Sequence, residues 1–165
     1  MVFQGNRVKD QNWDVALFQD LGSNPATMEA ARAADFFGAS DSYATEVADA
    51  EQSYIQADLK GPPTWVCLPR DPWPKSWEGK GFIRPVCRLC KALYGHPDYG
   101  SYWEDHCDKH VRSEGVEPIG EHWPSCDFHP ALKLYLIIYV DDLKMSGPAR
   151  HLSKGWSKLR NGLIV

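Results

Sequence analysis

A chain of 165 residues that is 43% hydrophobic and 24% charged can form one ordinary domain with a core, and is too apolar to be disordered. Its 18 Lys plus Arg against 22 Asp plus Glu, a net charge of −4, exclude an overall basic field, so any nucleic-acid contact falls to local patches. No apolar run reaches the ~20 residues of a membrane span, the opening MVFQGNRVKDQNWD lacks a signal-peptide core, and the odd number of cysteines (Cys67, Cys87, Cys90, Cys107, Cys126) fits free thiols; the expectation is an intracellular protein with no membrane attachment.

In chain order the pattern alternates between helix and strand. Residues 23–40, SNPATMEAARAADFFGAS, predict a helix with Asn24 as N-cap, Pro25 in the first turn and Gly38 as the stop. Residues 43–50, YATEVADA, alternate as a strand does, and 64–69, TWVCLP, form a shorter one. Across 60–85, six prolines (Pro62, Pro63, Pro69, Pro72, Pro74, Pro85) exclude regular helix. Trp65, Trp73 and Trp77 in the same segment call for partial packing rather than a free linker. Residues 98–114 predict a second helix ended by Gly115. Short strands near Val116 and Cys126 lead to a long one from Leu132, and 149–162 predict a last helix closed by Gly162. Two basic runs, Lys75 to Lys91 and Arg150 to Arg160, read singly as solvated surface.

The stretch LYLIIYVDDLKMSG, residues 134–147, poses a problem. Six apolar or aromatic residues describe a strand buried on both faces, and two adjacent carboxylates, Asp141 and Asp142, end it. Such a pair calls for open water or a cation. Asp49 ends its own strand in the same way, so neighbouring strands would bring three hard oxygen donors together; alone, it reads equally as a cap on the turn that follows. A different metal set, Cys87 and Cys90 with His106 and His110, has zinc-like spacing, but Leu93, Tyr94, Tyr102 and Trp103 between the pairs belong to a larger core than a zinc module has.

Three blocks in order, EVADAEQSYIQADL, VCRLCKALYGHPDYGSYW and LYLIIYVDDLKMSG, resemble the central part of a copia-type retrotransposon reverse transcriptase, an RNA-directed DNA polymerase. Tyr139-Val140-Asp141-Asp142 is similar to the Tyr-x-Asp-Asp motif of that family, Asp49 to its first aspartate, and Leu93-Tyr94-Gly95 with Trp103 to its template- and nucleotide-contacting segment. The likeness runs from about Val47 to Gly147. It implies an α+β fold: a palm, with an antiparallel sheet backed by helices and the acids on its open face, plus part of the fingers and no thumb. In that single partial domain, residues 1–46 are fingers and a palm helix, 47–147 the palm core and 148–165 the start of the segment after the hairpin.

The resemblance further implies that Asp49 and Asp141 bridge two Mg²⁺ ions, or Mn²⁺ in their place, with Asp142 assisting and the Ala50 carbonyl as a further ligand. Leu93, Tyr94, Gly95 and Tyr139 become nucleotide or primer contacts. Tyr54 is a sugar gate or, equally, a core tyrosine. The implied partners are an RNA template, a DNA primer, deoxynucleotides and the rest of a Pol polyprotein. His96, Pro97 and Asp98 depart from the family pattern after Leu-Tyr-Gly. With Met1 directly before VFQGN and one helix after the acids, the expectation is a fragment inactive alone. A folded remnant that at most binds nucleic acid weakly is the alternative, and a zinc module a minor one.

Overall fold

The computed structural model describes residues 8–10, 12–16, 25–71, 73–96 and 98–165. It is a mixed α+β protein in which an antiparallel five-stranded sheet is backed by helices. The first helix, α1, spans Met28–Gly38. Its N-cap is Thr27, whose hydroxyl accepts from the Ala30 amide at 3.3 Å. This corrects the expected start: Pro25 lies before the helix, because a threonine with extended backbone already satisfies a first-turn amide, and Asn24 lies outside the described residues.

The chain continues through β1 (Tyr43–Asp49), a one-turn helix α2 (Ser53–Gln56), short strands β2 (Trp65–Cys67) and β3 (Val86–Arg88), and helix α3 (Tyr99–Ser113). Then follow β4 (Glu117–Pro118), β5 (Cys126–His129), β6 (Leu134–Tyr139), β7 (Asp142–Pro148) and helix α4 (Ala149–Leu159). The main sheet has the order β1-β7-β6-β5-β4, and β2 and β3 form a separate ribbon. None of the helices among the described residues is long and apolar enough to cross a membrane.

The all-apolar β6 is explained by layers on both sides. Tyr135 and Ile137 pack with Ala26, Ala30 and Ala34 from α1 and the chain before it. Leu134 and Leu136, pointing the other way, join Leu143 and Met145 of β7, Trp103, Cys107 and Val111 of α3, and Leu152, Trp156 and Leu159 of α4. The expected open face therefore exists only at the strand ends, since α1 occupies the middle. Strand β7 escapes a pattern reading because LKMSGP mixes Lys, Ser, Gly and Pro, yet its alternation is regular. Leu143 and Met145 enter the core, while Lys144 meets Asp35 of α1 at 2.9 Å and Ser146 meets Thr45 at 2.9 Å.

The proline-rich segment is a lobe built on the β2–β3 ribbon, with a 3-10 turn at Lys75–Trp77. Its prolines flank the three-residue strands and leave their ladder amides intact. Backbone bonds from Leu59 to Cys90 and from Ala92 to Ala57, each 3.0 Å, tie its base to the domain.

Candidate active site at the end of the sheet

Strands β6 and β7 pair from Tyr139 opposite Asp142 inward, which leaves Val140 and Asp141 as a two-residue hairpin loop. Val140 has φ of +58°. Two-residue hairpins need positive φ at the first loop position, normally supplied by Gly or Asn; in a β-branched residue it stores roughly 1–3 kcal/mol. The surroundings enforce it. The indole of Trp103, itself only 2% exposed, donates to the Val140 carbonyl at 2.6 Å. The Ala50 amide donates to the Asp141 carbonyl at 2.8 Å, fastening the end of β1 to the turn.

Register then assembles the acids. Asp49 is the direct partner of Asp142, and Asp142 is the direct partner of Tyr139. Directly opposed residues of an antiparallel pair point to one face, so Tyr139, Asp142 and Asp49 form a row across three strands. It lies on the face that α1 covers further along, where the next row in that direction includes Lys144, bonded to Asp35. At the row itself the face is open: all three residues are exposed, and Asp141 beside them is half-buried.

An aromatic cluster flanks the carboxylates. Tyr54, 5% exposed, meets Tyr94 and Tyr99 edge-on, with ring centroids 4.4 Å away in each case. Burial first, then Tyr99 and Tyr94, then the charge of Asp141 push its phenol up to about 12. Tyr94 is 49% exposed, and its phenol is raised by burial and then by Asp141, with Asp49 adding a smaller push against a lowering hydrogen bond with Ser53. Tyr54 thus forms part of the core wall, and the rings that reach solvent beside the acids are Tyr94 and Tyr139, the latter 54% exposed. Leu93 and Gly95 frame Tyr94 in a turn closed by the His96 amide on the Leu93 carbonyl at 2.9 Å; Gly95 takes φ of +88° there. The Asp98 amide donates to His96 Nδ1 at 3.2 Å, leading into α3, and Pro97 lies outside the described residues.

Three contributors have no local signature in the sequence. Trp103 counts there only by its spacing, whereas here it clamps the hairpin. Tyr99 opens α3 and backs Tyr54. The C-terminal segment steadies the loop after β1, with the Glu51 amide on the Ile164 carbonyl at 2.9 Å and the Gln56 side chain bridging both backbone polar groups of Ile164.

Among the described residues no three His, Cys, Asp or Glu side chains are grouped to hold a metal ion. That covers Cys87, Cys90, His106 and His110, whose last member instead bonds the α4 carbonyls of Leu159 and Lys158 at 2.9 and 3.3 Å. It covers the aspartates too. Their donor chemistry and common position at one sheet end nonetheless suit a hard divalent cation: Asp49, Asp141 and Asp142 offer carboxylate oxygens only. Comparison with family models, curated proteins and solved structures finds no match for this chain.

Proposed function

We propose that the chain is part of a copia-type reverse transcriptase, with the β6–β7 hairpin and the end of β1 forming the polymerising centre of a palm. One observation carries the reading: two sequence blocks found independently, the one ending in Asp49 and the one containing Tyr-Val-Asp-Asp, meet residue for residue as Asp49 and Asp142 beside a strained, clamped turn. Strain held by the surroundings in this way marks functional positions more often than structural ones.

Asp49, Asp141 and Asp142 would hold Mg²⁺ or Mn²⁺, with the Ala50 carbonyl beside them. When bound, the divalent ions supply the charge that acidifies a primer hydroxyl and offsets that of a deoxynucleoside triphosphate. The residues of the chain do the positioning. Trp103 and the Ala50 amide fix the turn on which Asp141 sits, while Tyr94 and Tyr139 present rings to a sugar or base. Tyr54 supports Tyr94 from the core. An RNA template, a DNA primer and the remainder of a Pol polyprotein complete the assembly.

A second reading, a folded remnant without catalysis, is favoured by the aspartates not being grouped as a ligand set. One experiment separates the two. Joined to the fingers and thumb segments of a copia-type enzyme, the chain is expected to extend a DNA primer on an RNA template with Mg²⁺, and Asp141→Asn is expected to abolish extension. No extension by the joined chain, or extension indifferent to Asp141→Asn, overturns the proposal.

A further inference from the structure

The β2–β3 ribbon has one half-buried face and one bare face. Val66 and its partner Cys87 are half-buried, whereas Trp65, Cys67, Val86 and Arg88 are exposed. Alternation places these four on the same side, with Trp65 directly opposite Arg88 and Cys67 opposite Val86. Trp65 is 59% exposed. A tryptophan left this open on a two-stranded ribbon buries too little to be explained by folding, because such a ribbon has no second layer to cover it.

Charge distinguishes among possible occupants. The lobe carries Arg70, Lys75, Lys80, Arg84 and Arg88 against two acids, Asp71 and Glu78, in a chain whose net charge is −4. All five cations are exposed, and none forms an ion pair with a described residue. Lys60 and Lys91 at the lobe's base are different: each is neutralised, by Asp105 and Asp58 respectively. Cations next to open aromatic rings recur on the outer part. The Arg70 guanidinium lies 5.8 Å from the centre of the Trp73 ring, Trp73 meets Trp77 at 6.1 Å and Trp77 meets Phe82 at 5.3 Å. The end of the ribbon, where the Leu68 amide bonds the Pro85 carbonyl at 3.3 Å, is bordered in sequence by Arg70 and Arg84.

We propose that the bare face of this lobe docks single-stranded nucleic acid, with bases stacked on Trp65 and phosphates met by Arg88, Arg84 and Arg70. Unpaired bases offer a π-face to any open ring, while a paired duplex hides its own; the free cations match a phosphate chain in sign and spread. The surface uses none of the residues assigned to the polymerising centre and needs no divalent ion.

The test is fluorescence anisotropy of a fluorescein-labelled oligothymidylate of about 12 nucleotides, titrated with the intact chain at low salt in EDTA. Saturable binding is expected. Trp65→Ala should weaken it by roughly 5- to 100-fold, the range of one lost base stack, and Arg88→Ala should flatten the slope of log affinity against log salt by about 0.7. A blunt duplex of equal length should compete poorly. Circular dichroism checks that Trp65→Ala is folded; should it not be, the salt slope of Arg88→Ala alone decides. The proposal is overturned if no binding appears at the lowest salt, if Trp65→Ala binds like the parent, if the duplex competes as well as the single strand, or if phosphatidylserine vesicles take the protein up through Trp65 more tightly than the oligonucleotide does. Because EDTA removes divalent ions, each of these results leaves the primer-extension test of the carboxylates untouched, and failure of that test leaves this one standing.

Discussion

The sheet end and the β2–β3 lobe use similar residue types, aromatic rings beside charges, in opposite constructions. At the sheet end the large rings Trp103 and Tyr54 are buried and only the acids with Tyr94 and Tyr139 face water. In the lobe a tryptophan and all the cations of the outer part are exposed, and the ribbon has three residue pairs. The first arrangement fixes a few groups against a rigid frame, as chemistry requires; the second spreads weak, adaptable contacts, as adhesion to a flexible chain requires. The difference teaches that the two regions should answer differently to the same kind of substitution.

The largest separation is expected in stability. Leu143, fully buried between the sheet and the helices, should cost about 2–5 kcal/mol when changed to Ala. Trp65→Ala in the lobe should stay within roughly 0.5 kcal/mol. Urea unfolding of both variants measures this directly, and comparable losses would mean that the lobe is part of the core. Next comes Gly147 in β7. A Cβ there would stand 2.5 Å from the backbone oxygen of Lys133, and its φ of +153° is one that L side chains rarely adopt. Neither neighbour nor conformation can yield cheaply, so Gly147→Ala should cost on the order of 2 kcal/mol or more.

Trp103→Phe addresses the clamp on the hairpin. It keeps an aromatic ring but removes the donor to the Val140 carbonyl, with an expected loss of about 1–3 kcal/mol. A merely structural tryptophan would show only that loss. A clamp would also show selectively faster hydrogen exchange at the Ala50 amide, which depends on the position of Asp141. Uniform acceleration across the domain would remove the special role.

Acid separates the regions again. His96, His106 and His129 are each held below the ordinary imidazole range, with burial the first cause in all three. For His129, Lys158 and Lys154 push the same way, with Glu114 opposing; for His106, Lys91, His110 and Lys60 do so against Asp58. The folded state therefore keeps these rings neutral while the unfolded chain takes up protons at about pH 6.5, so stability is full above that value and falls as the pH drops below it. Asp127 works in the other direction at lower pH, since burial raises its carboxyl despite Arg112. The melting temperature should fall between about pH 7 and about pH 5. Oligonucleotide binding by the lobe should not follow, because residues 60–91 contain no histidine. A flat melting temperature would show that the three rings are hydrated.

Much of the frame was legible in the sequence because its signals are local. The all-apolar run of β6, the alternation of β1 and the glycine after α3 each state their own structure, and the meeting of Asp49 with the hairpin acids followed from two strands ending alike. What escaped depends on partners distant in the chain. Strand β7 looks polar until Lys144 is seen against Asp35 and Ser146 against Thr45. The start of α1 was displaced to Thr27 because capping side chains compete within a few residues of one another. The three-residue strands of the lobe sit between prolines that argue against any strand, and only cross-strand pairing reveals them. The burial of Tyr54 under Tyr94 belongs to the same class, set by α3 rather than by its own neighbours.

The smallest expected effect concerns Val140, and it tests whether the turn is under strain. At φ of +58° a valine stores roughly 1–2 kcal/mol that glycine would not. Against this relief, glycine adds about 0.5–1 kcal/mol of backbone entropy to the unfolded chain. It also forfeits the packing of a half-buried valine against the main core, a contact worth on the order of 1 kcal/mol for partial burial. The contributions nearly cancel, so Val140→Gly should shift unfolding by no more than about 0.5 kcal/mol either way. A loss beyond about 2 kcal/mol would mean that the valine side chain matters for packing more than its backbone costs, and the turn would lose its standing as a strained element. If stability is unchanged while the joined polymerase loses extension, the rigidity of Val140 serves to position Asp141, and the strain is there for chemistry rather than for folding.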